Sequence, residues 1–401
     1  RRGNVAQSAD DRLPRRRRTM TAMIPFNRPT LVGNELEYIR SAVAGGHSAS
    51  KGPFTGQVTS LLKEDLGAHD VLLTTSCTGA LEMAAMLIDP RPGDVVIVPS
   101  FTFVSTALAF AREGFRLRFA DIEPVTLGLD PHSVADLIDD RVRAIVPVHY
   151  AGIGCEIAAI TQLAASHGIS VIEDNAHGLF GSLGGQPLGS FGVMSTLSFH
   201  ETKNFVCGEG GALVINDSAL VDRAHVLLDK GTNRRSFERG VVDKYTWCDD
   251  GSSFGLSDLL AAFLLAQLEC RDAVLLAREA ATERYDQMLH GLVEPFGVEF
   301  GRKPPDRVSA FHMYYLLMPS KAVRDAVLHR MHADGVIATF HYVPLHRSPG
   351  AVRHLDGLVP ELPVTDDISG RLLRLPFYTD IDHATQSAVV GSLTEALQQA
   401  C

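Results

Sequence analysis

The sequence predicts an α/β protein built on a large, mostly parallel sheet. Short apolar runs rich in Val and Ile alternate with helical patterns from Val71 onward. The strand-like runs are VLLTT, VVIVPS, RLRFAD, AIVPVH and SVIEDN, and the helical patterns between them include GALEMAAMLI, TALAFAREG and IAAITQLAASHG. Strands that alternate with amphipathic helices are typical of a parallel sheet with helices on both faces. With 401 residues, 45% of them hydrophobic and 21% charged, the chain is long enough for two globular domains.

Three segments are expected along the chain. Residues 1–22 are polar and Arg-rich and lack the apolar centre of a secretory signal, which predicts a disordered extension or upstream translated sequence. Residues 23–260 form the predicted large α/β domain. Residues 261–401 form the predicted small α+β domain with its connecting helix. One helical pattern from about Ser257 to His290 precedes the runs AFHMYYLLMP and GVIATFHYVPLH and a final helix near ATQSAVVGSLTEALQQ.

Composition excludes several classes of function. The formal net charge of -10 argues against a nucleic-acid binder, which needs a basic face for phosphate contacts. The six cysteines form no CxxC pair and have no neighbouring histidine at metal-ligand spacing, so we expect no metal site and reduced thiols in a cytoplasmic enzyme. No uninterrupted apolar run is long enough to span a bilayer, so no membrane partner is expected.

One lysine stands out in the stretch SFHETKNFVCGEGGALVIND. Lys203 lies between an apparent strand end and a Gly-rich turn that leads into another strand. An ammonium group is costly to desolvate at the edge of a buried sheet. Such a lysine either extends its long side chain into solvent or serves as an amine nucleophile, whose neutral form desolvation favours. Position alone leaves both interpretations open.

Three other predicted strand ends carry residues that can bind a ligand. The segment Ser76–Gly79 joins a strand to a helix, so its amides and hydroxyls can bind phosphate or simply cap the helix. Glu173 and Asp174 end another strand, where a carboxylate can pair with a cationic ligand or remain a surface or capping group. Phe101 and Phe103 follow a third strand on one side of an extended segment, where an aromatic ring can stack on a flat ligand or pack in the core.

These features are more informative together than singly. A phosphate seat, a flat aromatic ring, a carboxylate able to pair with a ring nitrogen and a lysine able to form an imine are what pyridoxal 5'-phosphate (PLP) requires. All four occur at predicted strand ends of one α/β domain. The combination therefore favours Lys203 as a Schiff-base lysine over four unrelated structural roles.

The same motifs resemble the DegT/DnrJ/EryC1/StrS family of nucleotide-sugar aminotransferases. The resemblance covers nearly the whole chain after the Arg-rich leader and rests on MIPFNRPTLVGNELEYI, TTSCTGALEMAA, PSFTFVSTA, VPVHYAG, EDNAHG, SFHETKN, GEGGA, KGTNRRSFERGVVDKYTWCDDGSS, FHYVPLH and LLRLP. It implies a fold-type I PLP-dependent enzyme, most similar within the family to the TDP-4-amino-4,6-dideoxygalactose transaminases. Asn175 and Cys207 depart from the residues usual in the family, but they flank the reactive groups.

The resemblance also implies roles for individual residues. Lys203 would bind the cofactor covalently and Asp174 would pair with its ring nitrogen. Cys77, Thr78 and Ser198 would surround the phosphate, Phe103 would stack on the ring, His177 would lie near the ring oxygen, and Asn233 of a neighbouring subunit would reach the phosphate in a homodimer. In FHYVPLH, the residues His341, Tyr342 and His346 are candidates to line a sugar site, although the two histidines can also be interdomain packing.

The expected reaction is amination of a TDP-linked 4-keto-6-deoxyhexose with L-glutamate as donor. Two alternatives within the same chemistry are a 3-keto sugar nucleotide as acceptor and a product of gluco configuration. A third, from a different class, is a regulator that binds PLP or a nucleotide sugar without turnover. The lysine and aspartate argue against the regulator.

Overall fold

The computed structural model describes residues 23–401, so the predicted extension over residues 1–22 lies outside the described residues. A seven-stranded sheet forms the centre of the larger part of the molecule. In chain order the strands of the larger part are β1 (Asp70–Thr74), β2 (Val95–Pro99), β3 (Arg116–Ala120), β4 (Val142–Ile145), β5 (Ser170–Asp174), the short pair β6 (Ser182–Leu183) and β7 (Gln186–Pro187), β8 (Met194–Ser198) and β9 (Gly211–Ile215).

The sheet is mostly parallel, as the alternating pattern predicts. Its strand order is β1-β9-β8-β5-β4-β2-β3, and the five neighbours from β8 to β3 are parallel. Strand β9 is antiparallel to both β1 and β8. Because parallel strands end at the same edge of a sheet, the residues after β2, β5 and β8 come together there.

Helices cover both faces of this sheet. They are α1 (Glu35–Ala44), α2 (Pro53–Leu66), α3 (Cys77–Ile88), α4 (Val104–Arg112), α5 (Pro131–Ala135), α6 (Ile157–Ser166), α7 (Val221–Leu228) and α8 (Arg234–Glu238). Along β1, Leu72 packs into one apolar core, whereas Val71 and Leu73 pack into another. Successive side chains of a strand point to opposite faces, so both faces of the sheet are buried.

The predicted single helix from Ser257 to His290 is two helices. They are α9 (Asp258–Glu269) and α10 (Arg271–Leu289), and they meet at Cys270, whose backbone leaves the helical region (φ -96°, ψ 17°). The thiol of Cys270 donates to the carbonyl oxygen of Val32 at 3.3 Å. Most of helix α9 is buried, and it packs against α1 and α2. Helix α10 buries the residues of only one face, so the two helices differ in how they pack against the rest of the protein.

The C-terminal part has its own sheet and its own apolar core. Its remaining elements are β10 (Glu299–Phe300), β11 (Arg307–Val308), β12 (Tyr315–Leu317), α11 (Lys321–Ala333), α12 (Pro349–Val352), α13 (Pro363–Arg371), β13 (Leu372–Arg374) and α14 (His383–Ala400). Strand β12 pairs antiparallel with β10 and β13, while β11 joins β6 and β7 in a third small sheet. The domain division between residues 260 and 261 stays a prediction.

The six cysteines are free thiols. Of the helices within residues 23–401, none combines the length and the apolar character that crossing a membrane requires.

Candidate active site

A cavity of about 470 Å³ lies where the carboxyl ends of the parallel strands face the C-terminal part. It gathers residues from segments far apart in the sequence. Among its lining residues are nine that the sequence singles out: Cys77, Thr78, Phe103, Asp174, His177, Ser198, Lys203, His341 and Tyr342.

Lys203 reaches this cavity from the loop between β8 and β9. Its backbone N–H donates to the carbonyl oxygen of His200 at 2.9 Å, which shapes the turn after the strand. Burial lowers the pKa of the Lys203 amine to about 8, and the positive charge of Arg374 also lowers it. Cys77 and Asp174 have the opposite effect and raise this pKa. A lysine with a lowered pKa has a larger neutral, nucleophilic fraction near neutral pH.

Asp174 is the last residue of β5 and presents a buried carboxyl group to the same cavity. Its Oδ2 accepts a hydrogen bond from the Thr106 hydroxyl at 2.7 Å, and its Oδ1 accepts one from the Ala176 amide at 3.2 Å. The Thr106 hydroxyl is in turn bonded to that of Thr102 at 2.8 Å. Burial raises the pKa of Asp174, while these bonds and the charge of Lys203 favour its ionised form. Asp174 is therefore an anchored acceptor for a cationic N–H group.

The adjacent carboxyl group of Glu173 has a different environment. It is completely buried, and His149 Nε2 lies 2.8 Å from its Oε2. Three backbone amides of the following loop donate to its oxygens at 2.7 to 2.8 Å: Gly189, Phe191 and Gly192. Because protein groups occupy both oxygens, Glu173 holds the loop in place, and Asp174 is the carboxylate that faces the cavity.

The start of helix α3 forms the phosphate-binding site that the sequence predicts. The Ser76 hydroxyl caps the helix by accepting from the Gly79 amide at 3.0 Å. The amides of Cys77 and Thr78 lie in the first turn, where a helix has no internal partners for its N–H groups. Burial raises the pKa of the Cys77 thiol to about 12, with a further contribution from Asp174, so the thiol stays neutral beside an anion.

Strands β8 and β9 and helix α4 close this phosphate-binding site. Ser198 at the end of β8 lines the cavity, and the Thr78 hydroxyl is bonded to that of Ser105 at 2.7 Å. At Gly211, the first residue of β9, an added Cβ would lie 2.3 Å from the backbone nitrogen of Cys77. Only glycine allows this strand to approach the helix start so closely.

The two phenylalanines after β2 have different environments. Phe103 immediately precedes helix α4 and is 60% exposed where it lines the cavity. Phe101 is buried instead and packs against Tyr150 and Tyr342 at ring-centroid distances of 5.0 and 5.4 Å. Phe103 is thus the ring available for stacking on a flat ligand.

His177 is paired with a histidine that sequence reasoning missed. Its ring stacks on that of His312, with centroids 4.3 Å apart and planes inclined by 18°. His312 Nδ1 lies 3.0 Å from the side-chain oxygen of Asn204, the residue after Lys203. Burial lowers the pKa of both histidines well below the usual range, so both rings are neutral. His177 Nδ1 is buried without a hydrogen-bond partner among residues 23–401.

A second group of side chains closes the cavity from the C-terminal part. His341 lies stacked on Tyr342 at 3.9 Å, and its Nδ1 is 3.1 Å from the hydroxyl of Tyr150. Its Nε2 is 2.5 Å from the guanidinium of Arg374, which also lines the cavity. Arg374 was not among the predicted site residues, although it lies in the motif LLRLP.

Two predicted site residues do not line this cavity. His346 is buried elsewhere, where its Nδ1 lies 2.7 Å from the hydroxyl of Ser100 and its Nε2 accepts from Arg347 at 3.0 Å. This geometry favours the packing alternative for His346, and its place at a sugar site stays a prediction. Asn233 immediately precedes helix α8, and its side-chain oxygen accepts from the Thr246 amide at 2.7 Å.

The residues around the cavity fit PLP. The open amides at the start of α3 suit a phosphate, and the close approach at Gly211 leaves them accessible. The buried, unpartnered Nδ1 of His177 indicates a polar ligand nearby. Asp174 offers an anchored acceptor, Lys203 an amine of lowered pKa and Phe103 an exposed ring.

Comparisons with known proteins identify relatives of this chain. Residues 29–394 match the model of the DegT/DnrJ/EryC1/StrS aminotransferase family. The spore coat polysaccharide biosynthesis protein SpsC of Bacillus subtilis (strain 168) is 30% identical over 388 residues, which cover 94% of this chain and 98% of SpsC.

Solved structures of similar fold include the aminotransferase TlmJ from Streptoalloteichus hindustanus. Its TM-score is 0.87 at 29% identity, covering 95% of this chain and 100% of TlmJ. The sugar aminotransferase CalS13 from Micromonospora echinospora has a TM-score of 0.83 at 25% identity, covering 93% of this chain and 100% of CalS13. The chain belongs to the DegT/DnrJ/EryC1/StrS aminotransferase family and is a PLP-dependent aminotransferase.

Proposed function

We propose that this chain transfers the amino group of L-glutamate to a TDP-linked 4-keto-6-deoxyhexose. The products are 2-oxoglutarate and a TDP-4-amino-4,6-dideoxyhexose of galacto configuration. The observation that best supports amino transfer is that Lys203 and Asp174 line the same cavity. A sugar acceptor is supported by relatives named for polysaccharide biosynthesis and for sugar amination. The choice of sugar rests on the sequence resemblance.

The chemistry divides between cofactor and protein. When bound, PLP supplies an aldehyde that condenses with amines and a ring that takes up the electrons of an adjacent carbanion. With PLP bound, Asp174 would accept a hydrogen bond from the ring nitrogen and keep a proton on it. Lys203, with a pKa of about 8, removes the proton from the α-carbon of the donor and later delivers one to the sugar carbon that gains the amine.

The remaining cavity residues position the reactants. Cys77, Thr78 and Ser198 would hold the phosphate, and Phe103 would stack on the ring. His177 would lie near the ring oxygen. Its neutral state suits a hydrogen-bonding role rather than a second charge. Within FHYVPLH, Tyr342 and His341 line the cavity, and they are the proposed contacts to the sugar.

A homodimer with shared active sites completes this proposal. Around Asn233, four large apolar side chains are exposed to 44%, 70%, 57% and 79%: Phe237, Val241, Tyr245 and Trp247. An exposed apolar cluster of this kind is typical of an interaction surface. A two-fold arrangement would cover it with a second copy and bring each Asn233 to the phosphate of its neighbour. The six free thiols are in keeping with a cytoplasmic enzyme.

The product of the purified enzyme tests this function. The protein is incubated with PLP, L-glutamate and TDP-4-keto-6-deoxyglucose, the corresponding 3-keto sugar nucleotide is run in parallel, and Lys203→Ala protein serves as the blank. We expect NMR to show an axial amine at C4 and 2-oxoglutarate in equal amount. An equatorial C4 amine would assign the gluco product, and faster amination of the 3-keto substrate would assign the other acceptor. Cofactor binding without any keto acid would support a regulator.

A further inference from the structure

Ser100 and His346 fasten two distant segments of the chain together. The carbonyl oxygen of Ser100 accepts from the Leu345 amide at 3.1 Å. Its hydroxyl oxygen accepts from the His346 amide at 3.1 Å and lies 2.7 Å from His346 Nδ1. Both residues are completely buried, although 246 residues separate them in the chain. These three hydrogen bonds are called the Ser100–His346 anchor below.

The hydrogen bonds of His346 fix its tautomer. Nε2 accepts from Arg347 Nε at 3.0 Å, so Nδ1 carries the proton and donates to the Ser100 hydroxyl. Burial lowers the pKa of His346, so the neutral ring offers one donor and one acceptor. The guanidinium of Arg347 in turn donates to Asp366 at 2.6 Å. Both ring nitrogens therefore have partners, and the ring has one defined orientation.

On its Ser100 side, the anchor is attached to the central sheet. Ser100 follows β2, whose five residues are buried and which pairs with both β3 and β4. The residues after Ser100 belong to the wall of the cavity that would hold the cofactor. Phe103 lines this cavity, and the hydroxyl of Thr102 is bonded to that of Thr106. The sheet itself keeps this wall in place.

On its His346 side, the anchor holds an irregular segment. Residues 340–344 have no regular secondary structure and lead into a single 3-10 turn, Leu345–Arg347. At the start of the segment, Thr339 and Arg374 exchange backbone hydrogen bonds of 3.1 and 2.7 Å. At its end the anchor holds it. Without ladder hydrogen bonds of its own, the segment depends on these two attachments for its position.

This segment carries two residues of the cavity, His341 and Tyr342. The ring of Tyr342 packs edge-on against Phe101, the residue after Ser100, with 5.4 Å between centroids. The anchor and this aromatic contact therefore bring the segment against the same two residues at the end of β2.

We propose that Ser100 and His346 are positioning residues that hold His341 and Tyr342 in place for the sugar acceptor. This inference rests on the proposed function, in which His341 and Tyr342 contact the sugar. The groups that fit PLP lie on the larger part of the molecule, so loss of the anchor should weaken binding of the sugar and leave binding of the cofactor unchanged.

Substitutions of His346 separate the contributions of its two ring nitrogens. An Asn side chain places an N–H donor where Nδ1 lies, whereas a Gln side chain reaches the position of Nε2 instead. We expect His346→Gln and Ser100→Ala to raise the KM for TDP-4-keto-6-deoxyglucose by about 10-fold at nearly unchanged kcat, because each removes a buried hydrogen bond. His346→Asn should recover most of the wild-type KM, and the exposed control His383→Leu should match wild type. Titration with PLP should give the same affinity in all five proteins.

Amide hydrogen exchange tests the anchor without substrate or turnover. Peptides that cover residues 340–348 should exchange faster in His346→Gln and Ser100→Ala than in wild type, whereas peptides that cover β2 should not change. Exchange equal to wild type in both variants would overturn the proposal. Faster exchange with an unchanged KM, or an equal loss of PLP affinity, would make the role of the pair purely structural and would also overturn it. If the wild-type enzyme does not aminate this sugar nucleotide, the proposed function fails, and the exchange result alone decides whether the anchor holds the segment.

Discussion

The imidazole rings of His177 and His312 lie face to face, with centroids 4.3 Å apart, although 135 residues separate them in the chain. Asn204, the residue after Lys203, binds His312 Nδ1 and donates to the Ala310 carbonyl at 2.6 Å. A single hydrogen-bonded and stacked group therefore links the lysine loop, the end of β5 and the C-terminal part. This group fixes the ring of His177 next to the proposed cofactor site.

His312→Ala is predicted to weaken PLP binding by roughly 10-fold, because it removes one aromatic contact and one buried hydrogen bond. Equilibrium titration of the cofactor-free protein with PLP measures the effect. The exposed control His290→Ala should bind PLP as wild type does. Wild-type affinity in His312→Ala would show that His177 needs no support from this ring.

Asp174→Asn is predicted to fold and bind PLP but to transaminate more slowly, by on the order of 100-fold or more, because a neutral amide cannot keep the ring nitrogen protonated. Thr106→Val removes one hydrogen bond to the same carboxylate, so a smaller loss of about 10-fold is expected. Single-turnover rates with L-glutamate measure both variants. A fully active Asp174→Asn enzyme would mean that another group pairs with the ring nitrogen.

The rate at which cofactor-free protein captures PLP is predicted to rise with pH and level off above about pH 8. Only the neutral amine adds to an aldehyde, and burial lowers the pKa of Lys203 to about 8, so its neutral fraction grows through that pH. The thiol of Cys77 stays neutral over this range because burial raises its pKa to about 12. A rate that climbs without a plateau to pH 10 would indicate an unperturbed lysine.

The sequence indicates much of this site because the relevant residues follow strand ends. Asp174 ends one apolar run, and Phe103 and Lys203 lie in the loops after two others. In a parallel sheet such positions converge at one edge. Their convergence in one cavity was therefore predictable from pattern alone. The pattern also placed Cys77 and Thr78 between a strand and a helix, and the combination of these residues indicated PLP. The family resemblance added the sugar substrate and the roles of individual residues.

Contributions from the C-terminal part were not predictable in this way. His312 and Arg374 reach the cavity only because the smaller sheet packs against the larger one, and no local pattern encodes that contact. In FHYVPLH, His346 was a candidate for the sugar site, but its Nδ1 lies within hydrogen-bond distance of the Ser100 hydroxyl. The break at Cys270 was hidden because the residues on both sides of it favour helix.

A mixed dimer is predicted to recover activity when Lys203→Ala subunits combine with Asn233→Asp subunits. If Asn233 acts on the neighbouring site, each mixed dimer holds one intact site and one doubly altered site. Aspartate keeps the oxygen that accepts from the Thr246 amide while its charge repels the phosphate, so the loop itself is preserved. Specific activity is measured after differently tagged subunits are purified together.

Lys203→Ala mixed with Asp174→Asn is the matched control for this experiment. Both of these residues line the cavity of their own chain, so neither site of that mixed dimer is intact. No recovery is expected from it. If the Asn233→Asp mixture also stays inactive although mixed dimers form, the shared-site arrangement is wrong.

Lys203 is proposed to carry the cofactor, and borohydride reduction of the PLP-loaded protein followed by peptide mapping identifies the lysine that does. Reduction turns the lysine–cofactor bond into a stable label. We predict that the label lies on the peptide containing Lys203, and that Lys203→Ala protein shows neither label nor turnover, while the exposed control Lys321→Ala behaves as wild type. A label on another lysine, or an active Lys203→Ala enzyme, would show that Lys203 does not carry the cofactor.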